Sequence, residues 1–151
     1  MNGIVLILVA ILLLAARKKT STLGGFSPVD QTISGRLPSG QLTGNCFPAC
    51  IASMLGLPLN KVPFFSTESG KIQLEQASKW LRGRGIKLVQ IPSTHQPPRD
   101  TYYMVSGQSP RFSSANHMVV GRNGRIVHDP HPDRTGIVGA PVAFIYFESY
   151  G

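Results

Sequence analysis

The stretch "GNCFPACIASMLGLP", residues 44–58, constrains the fold more than any other part of the chain. Cys46 to Leu55 predicts a helix: Asn45 or Gly44 stands near the N-cap, Pro48 suits the first turn, and Gly56 followed by Pro58 supplies the stop. Phe47, Ala49, Cys50, Ile51, Ala52, Met54 and Leu55 make this helix apolar on nearly every side. A helix without a polar face belongs at the centre of a core.

The elements that cover it follow in order. "LPLNKVPFF" is a Pro-punctuated connection, and "GKIQLEQASKWLRGRG" predicts a second helix from about Gly70 to Gly83. Leu74, Ala77 and Leu81 form its inner stripe, joined by Ile72 and Trp80, while Lys71, Gln73, Lys79 and Arg82 face water. Then the period changes from helical to two. "IKLVQI" and "TYYMVS" read as strands, "HMVVGRNGRIVHD" as a hairpin turning at Asn123-Gly124, and "APVAFIYFESY" as a final strand. Helices first and antiparallel strands last predict an α+β domain over residues 44–151. With 42% hydrophobic and 15% charged residues in 151, the chain has room for one domain with a modest core.

Ahead of that domain, "IVLILVAILLLAA" is an unbroken apolar run ending at Arg17-Lys18-Lys19. A helix over Met1 to Ala16 would span about 24 Å, a little short of a hydrocarbon core, a gap that snorkelling lysines close. A cleaved signal peptide would carry its charge before the apolar run, where only Met1-Asn2-Gly3 stands. Residues 1–19 are therefore expected to be a transmembrane anchor helix in contact with membrane lipid. The basic flank places the domain of this single-pass protein in the cytoplasm or a virion interior. Residues 20–43, "TSTLGGFSPVDQTISGRLPSGQLT", read as a linker, within which "FSPVDQTI" is able to pack extended against the domain. Fifteen Lys and Arg against seven Asp and Glu give a net charge of +8. The cations are scattered and lack interleaved aromatics, so no specific nucleic-acid partner is expected.

Two cysteines are too few for a disulfide scaffold, and Cys46 and Cys50 on one helix cannot pair without strain. A thiol attacks as thiolate, and a helix N-terminus with a neighbouring imidazole favours that form. Cys46 holds that position; Cys50, one turn inside, reads as core. Among four histidines, His117 is the best base, since it opens a strand and stands at the sheet rim. Asp129 ends the return strand of the same hairpin. A two-residue Asn123-Gly124 turn would send Asp129 to the opposite face, so the catalytic reading predicts a three-residue loop with a bulge at Gly124. His128, His131 and Asp133 offer a partial ligand set, but Pro130 and Pro132 make their loop rigid. That loop is expected as a surface turn or substrate rim, with no metal and no cofactor.

With these residues in order, "GNCFPACIASMLGLPLNKVP" and "HMVVGRNGRIVHDPHP" resemble the papain-like cysteine peptidase superfamily. The nearest branches are the bacteriocin-processing peptidases and small papain-like proteins of phages and bacteria. The likeness covers about residues 28–135 in two blocks. It implies a papain-like α+β domain, its first helix buried against an antiparallel sheet, with Cys46 as nucleophile, His117 as base and Asp129 as the orienting partner. The family's oxyanion glutamine would be Gln41, five positions before Cys46 and one closer than the pattern expects, or Gln31 if the linker folds back. The implied function is a membrane-anchored peptidase or amidase acting on a peptide or protein, cell-wall peptide included. Two other readings stand beside it: an inactive papain-like structural protein of a phage virion membrane, and a phage peptidoglycan amide hydrolase. Acyl transfer through the same thioester is open as well.

Overall fold

The computed structural model describes residues 24–150. Strands β1 (Ser34–Arg36) and β2 (Leu42–Gly44) pair as a small hairpin that leads directly into helix α1 (Cys46–Leu55). A single 3-10 turn, Leu59–Lys61, precedes helix α2 (Gly70–Arg82). The strands β3 (Ile86–Pro92), β4 (Tyr102–Gln108), β5 (Asn116–Arg122), β6 (Arg125–His128) and β7 (Val138–Ser149) then form one antiparallel sheet in the order β3-β7-β4-β5-β6.

Every residue of α1 after Cys46 is buried, as its apolar circumference requires. Phe47, Ile51 and Met54 pack on Met104, Val120 and Ile145 from the centre of the sheet. Each such side chain contributes about 1.5–3 kcal/mol when fully withdrawn from water. Helix α2 starts at Ser69, whose hydroxyl accepts the Ile72 N–H at 3.2 Å, and it buries Ala77 and Leu81 in the same core. On the opposite face of the sheet, Tyr103, Val105, Val119 and Phe144 form a smaller cluster.

The expected architecture is corrected on two counts. The described chain is mostly sheet, with seven strands in two sheets and two short helices. The extra sheet comes from the β1–β2 hairpin, hidden in a Gly/Ser-rich stretch, and from the length of β7. No helix among the described residues is long and apolar enough to cross a membrane. Residues 1–19, which carried the expected anchor and lipid contact, lie outside the described residues. A single-pass membrane localisation is thus unsupported and plays no further part.

The linker reading also changes. Residues 24–33 run as an extended strap along α1, anchored at several points. Gly56 ends α1 in the left-handed conformation with φ 64°, and a Cβ there would come within 2.3 Å of the Gly25 carbonyl oxygen. Glycine is what lets the strap cross the helix end. Further along, Ser27 N–H donates to the Ser53 carbonyl and Val29 N–H to the Ser53 hydroxyl, both at 2.9 Å. Phe26 stacks on Tyr102 with ring centroids 4.4 Å apart. These contacts seat Phe26 and Val29 on the main core, so the folded unit begins with the strap and not at residue 44.

Candidate active site

The mouth of α1 lies where the strap, the β1–β2 hairpin and the start of β5 meet. Cys46 is the first residue of α1 and is half-buried, with no side chain capping the helix above it. Cys50, one turn on, is fully buried, and its thiol donates to the Met118 carbonyl at 3.4 Å. Burial, reinforced by nearby Cys46 and Asp129, pushes the Cys50 thiol pKa well up. Both cysteines are free thiols.

His117 is 4% exposed at the start of β5. Its Nε2 lies 2.7 Å from Asp129 Oδ1, and Cys46 lines the same two clefts as the ring, near enough to act on its charge. With Nε2 taken by the carboxylate, Nδ1 is left for the sulfur. Burial by itself pulls the ring's pKa down. The Asp129 hydrogen bond and the Cys46 sulfur outweigh it, and the His117 pKa is pushed up to about 9. Asp129 is also buried, which favours its neutral form. The bond to His117 and two backbone donors prevail and hold it below the usual carboxylate range. Those donors are the His131 N–H, 2.9 Å from Oδ1, and the Gly136 N–H, 2.7 Å from Oδ2. Arg134, held with φ 55°, donates to the Asp129 carbonyl and pairs with Asp30 at 2.7 Å.

The hairpin delivers Asp129 by a route the sequence reading did not foresee. The turn is the tight one: Arg122 pairs with Arg125 across Asn123 (φ 49°) and Gly124 (φ 79°). The expected three-residue loop with a bulge at Gly124 is absent. The bulge sits further down β6, where Gly121 pairs with Ile126 but Val120 pairs with His128. Val127 is the extra residue. One inserted residue reverses the alternation of side chains beyond it, so Asp129 returns to the face that carries His117. Turn chemistry favoured the Asn-Gly turn, and the bulge supplies the correction in parity.

Of the two glutamines, Gln31 lies deeper. It is 7% exposed, and its Nε2 donates to the Ile33 carbonyl at 2.9 Å, which leaves the second Nε2 hydrogen unused by that bond. Its Oε1 is buried without a partner among the described residues. Gln41 is exposed just ahead of β2 and, with Gln31, lines a cleft beside Cys46. The strap brings Gln31 to the site from fifteen positions upstream, whereas the hairpin turn carries Gln41 outward.

Two clefts open from the pair Cys46 and His117. One, about 580 Å³, runs between the β1–β2 hairpin and the loop before β5, past Gln31, Arg36 and Arg111. The other, about 570 Å³, runs over Phe47, Leu74, Met118 and Ile145. Cys46, Gly70, Gln73, Asn116 and His117 line both. The candidate ligand loop serves other ends. His128 Nε2 donates to the Val29 carbonyl at 2.8 Å, and His131 Nδ1 lies 3.0 Å from Asp133, which also takes Arg111 at 2.9 Å. Among the described residues no three His, Cys, Asp or Glu side chains gather as a metal site would require.

Sequence reasoning missed two residues here. Asn45 was a candidate cap, but its side chain leaves the helix alone and binds the strap. Arg134 had no visible role; it ties Asp30 on the strap to the Asp129 backbone. Adjacency to Cys46 was the one signal available for Asn45, and nothing local marked Arg134. No protein-family model, curated protein or solved structure matches the chain.

Proposed function

We propose that the chain is a papain-like cysteine hydrolase that cleaves an amide bond in a peptide or protein. The observation that carries this reading is the convergence of three side chains at the junction of two clefts. Those are a half-buried thiol, an imidazole lining the same clefts and a carboxylate 2.7 Å behind that imidazole. Cys46 is half-buried and lines both clefts, so its thiol is not occluded. Grooves on both sides of the sulfur suit a chain that passes through the site.

In this reaction the Cys46 proton rests on His117 Nδ1, as a thiolate–imidazolium pair, and the thiolate attacks the carbonyl carbon. The resulting oxyanion takes hydrogen bonds from the free Nε2 hydrogen of Gln31 and from the Cys46 N–H. As the intermediate collapses, the C–N bond breaks and the leaving amine takes the proton from His117. Asp129 holds Nε2 throughout and stabilises the imidazolium. Water, deprotonated by His117, then attacks the thioester and releases the acid and the thiol. A pKa of about 9 keeps the ring charged at neutral pH, the state in which it supports a thiolate.

A library of internally quenched peptides tests the proposal. Wild-type protein is expected to cleave members of the library, with loss of more than about 10³-fold in Cys46→Ala. Cleavage that persists in Cys46→Ala, or a wild type that neither cleaves nor forms a thioester, contradicts it.

A further inference from the structure

We infer that Asn45 is a positioning residue, which splices the strap to the mouth of α1 and so sets Gln31 against the Cys46 sulfur. The inference rests on the cysteine-hydrolase reading above.

Asn45 is 5% exposed, and its polar groups turn toward the strap. Its Oδ1 accepts the Thr32 N–H at 2.9 Å and the Ile33 N–H at 2.8 Å. Its Nδ2 donates to the Thr32 hydroxyl at 2.9 Å, and its own N–H donates to the Ile33 carbonyl at 3.2 Å. That carbonyl is the one that also holds Gln31 Nε2 at 2.9 Å. A single acceptor therefore fixes both the residue before the nucleophile and the side chain that would hold the oxyanion. A buried asparagine with these bonds gives up helix capping to bind the two residues that follow Gln31.

The far side of Gln31 is tied to the other end of the triad. Its N–H donates to the Pro130 carbonyl at 2.9 Å, one residue beyond Asp129. Asp30 pairs with Arg134, which donates to the Asp129 carbonyl. The strap thus spans from nucleophile to carboxylate, and Asn45 governs the nucleophile end. Loss of its side chain leaves the Thr32 and Ile33 N–H groups without their acceptor and lets Gln31 shift with them, while the thiol and imidazole keep their own contacts.

Two reactions of Cys46 separate these effects. Iodoacetamide is displaced at carbon with loss of iodide and builds no oxyanion, so it reads the thiol and His117. Acylation by p-nitrophenyl acetate passes through a tetrahedral oxyanion before p-nitrophenolate leaves, so it reads Gln31 as well. In the full chain, Asn45→Ala is expected to slow acylation by about a hundred-fold, as a displaced catalytic group does, with alkylation at the wild-type rate. Gln31→Ala should give the same pattern, and the double variant should be no worse than either alone. Asn45→Asp keeps an oxygen that accepts both the Thr32 and Ile33 N–H groups and should recover most of the acylation. Should Asn45→Ala lose its cooperative melt, Thr32→Pro removes one of the two donors at an exposed position and is expected to show the same selective loss.

Equal losses in both reactions in a folded variant, or acylation untouched by Asn45→Ala, overturn the positioning role. A wild type that iodoacetamide does not alkylate at Cys46 overturns the hydrolase reading, and this inference falls with it.

Discussion

Cys46 and Cys50 are the same residue one turn apart on α1, yet they sit in two different chemical regions. At the mouth, Cys46 faces the His117 ring and two clefts. In the interior, Cys50 faces the Met118 carbonyl and no solvent, and burial holds its proton on. Consecutive residues of β5 serve the two thiols, one offering a base and the other an acceptor. The helix supplies the position and the Cys46 N–H at its mouth. Reactivity at the mouth comes from groups brought in by other elements: His117 and Asp129 from the β5–β6 hairpin, and Gln31 from the strap.

The contrast breaks most completely if the hairpin loses its parity. Deleting Val127 removes the inserted residue and turns Asp129 to the face away from His117. Acylation of Cys46 is expected to fall by about 10²- to 10⁴-fold, the range over which positioned acid–base groups act. Full activity in a folded deletion variant would mean that Asp129 does not support His117.

A smaller effect is expected in stability against pH. His117 has a folded pKa of about 9 against about 6.5 unfolded, so its contribution is complete below pH 6.5 and lost as pH rises through about 9. Asp129 is shifted down, so its contribution is present above about pH 3.9 and lost as pH falls through the folded value. Chemical denaturation should show greatest stability from these two groups between about pH 4 and 6.5, with a decline on the order of 2–3 kcal/mol toward pH 10. Asp129→Asn should flatten the alkaline limb and lower the His117 titration seen by NMR. An alkaline limb unchanged in that variant would place the shift elsewhere.

The mildest change sharpens the comparison from the other side. Cys50→Ala removes a buried sulfur and is expected to cost roughly 1–2 kcal/mol of stability, with no change in alkylation at Cys46. A matching loss of Cys46 reactivity would show that the interior thiol shares in the chemistry.

The elements with a strong local signal were legible in the sequence. Helix α1 runs from Cys46 to Leu55 between the residues that mark its ends, and the strands follow their period-two patterns. What was hidden is non-local. The extended packing of "FSPVDQTI" was legible as a possibility. The Gly/Ser-rich composition around it gave no sign of where the strap crosses α1, which it does with Phe26 and Val29 on the core and Gly25 close to Gly56. The β6 bulge carries no glycine or proline signal, since Val127 looks like any strand residue. Gln31 became a candidate only through chain return, and Asn45 was read by its place before a helix, where capping is the local expectation. Its actual partners lie twelve and thirteen residues back along the chain.

The most direct test of the central claim is site-resolved alkylation of the native protein by iodoacetamide, read by peptide mapping in wild type and His117→Ala. Cys46 is expected to be modified rapidly and Cys50 not at all without unfolding, with a marked slowing at Cys46 once His117 is removed. Equal modification of the two cysteines, or a Cys46 whose rate does not depend on His117, contradicts it.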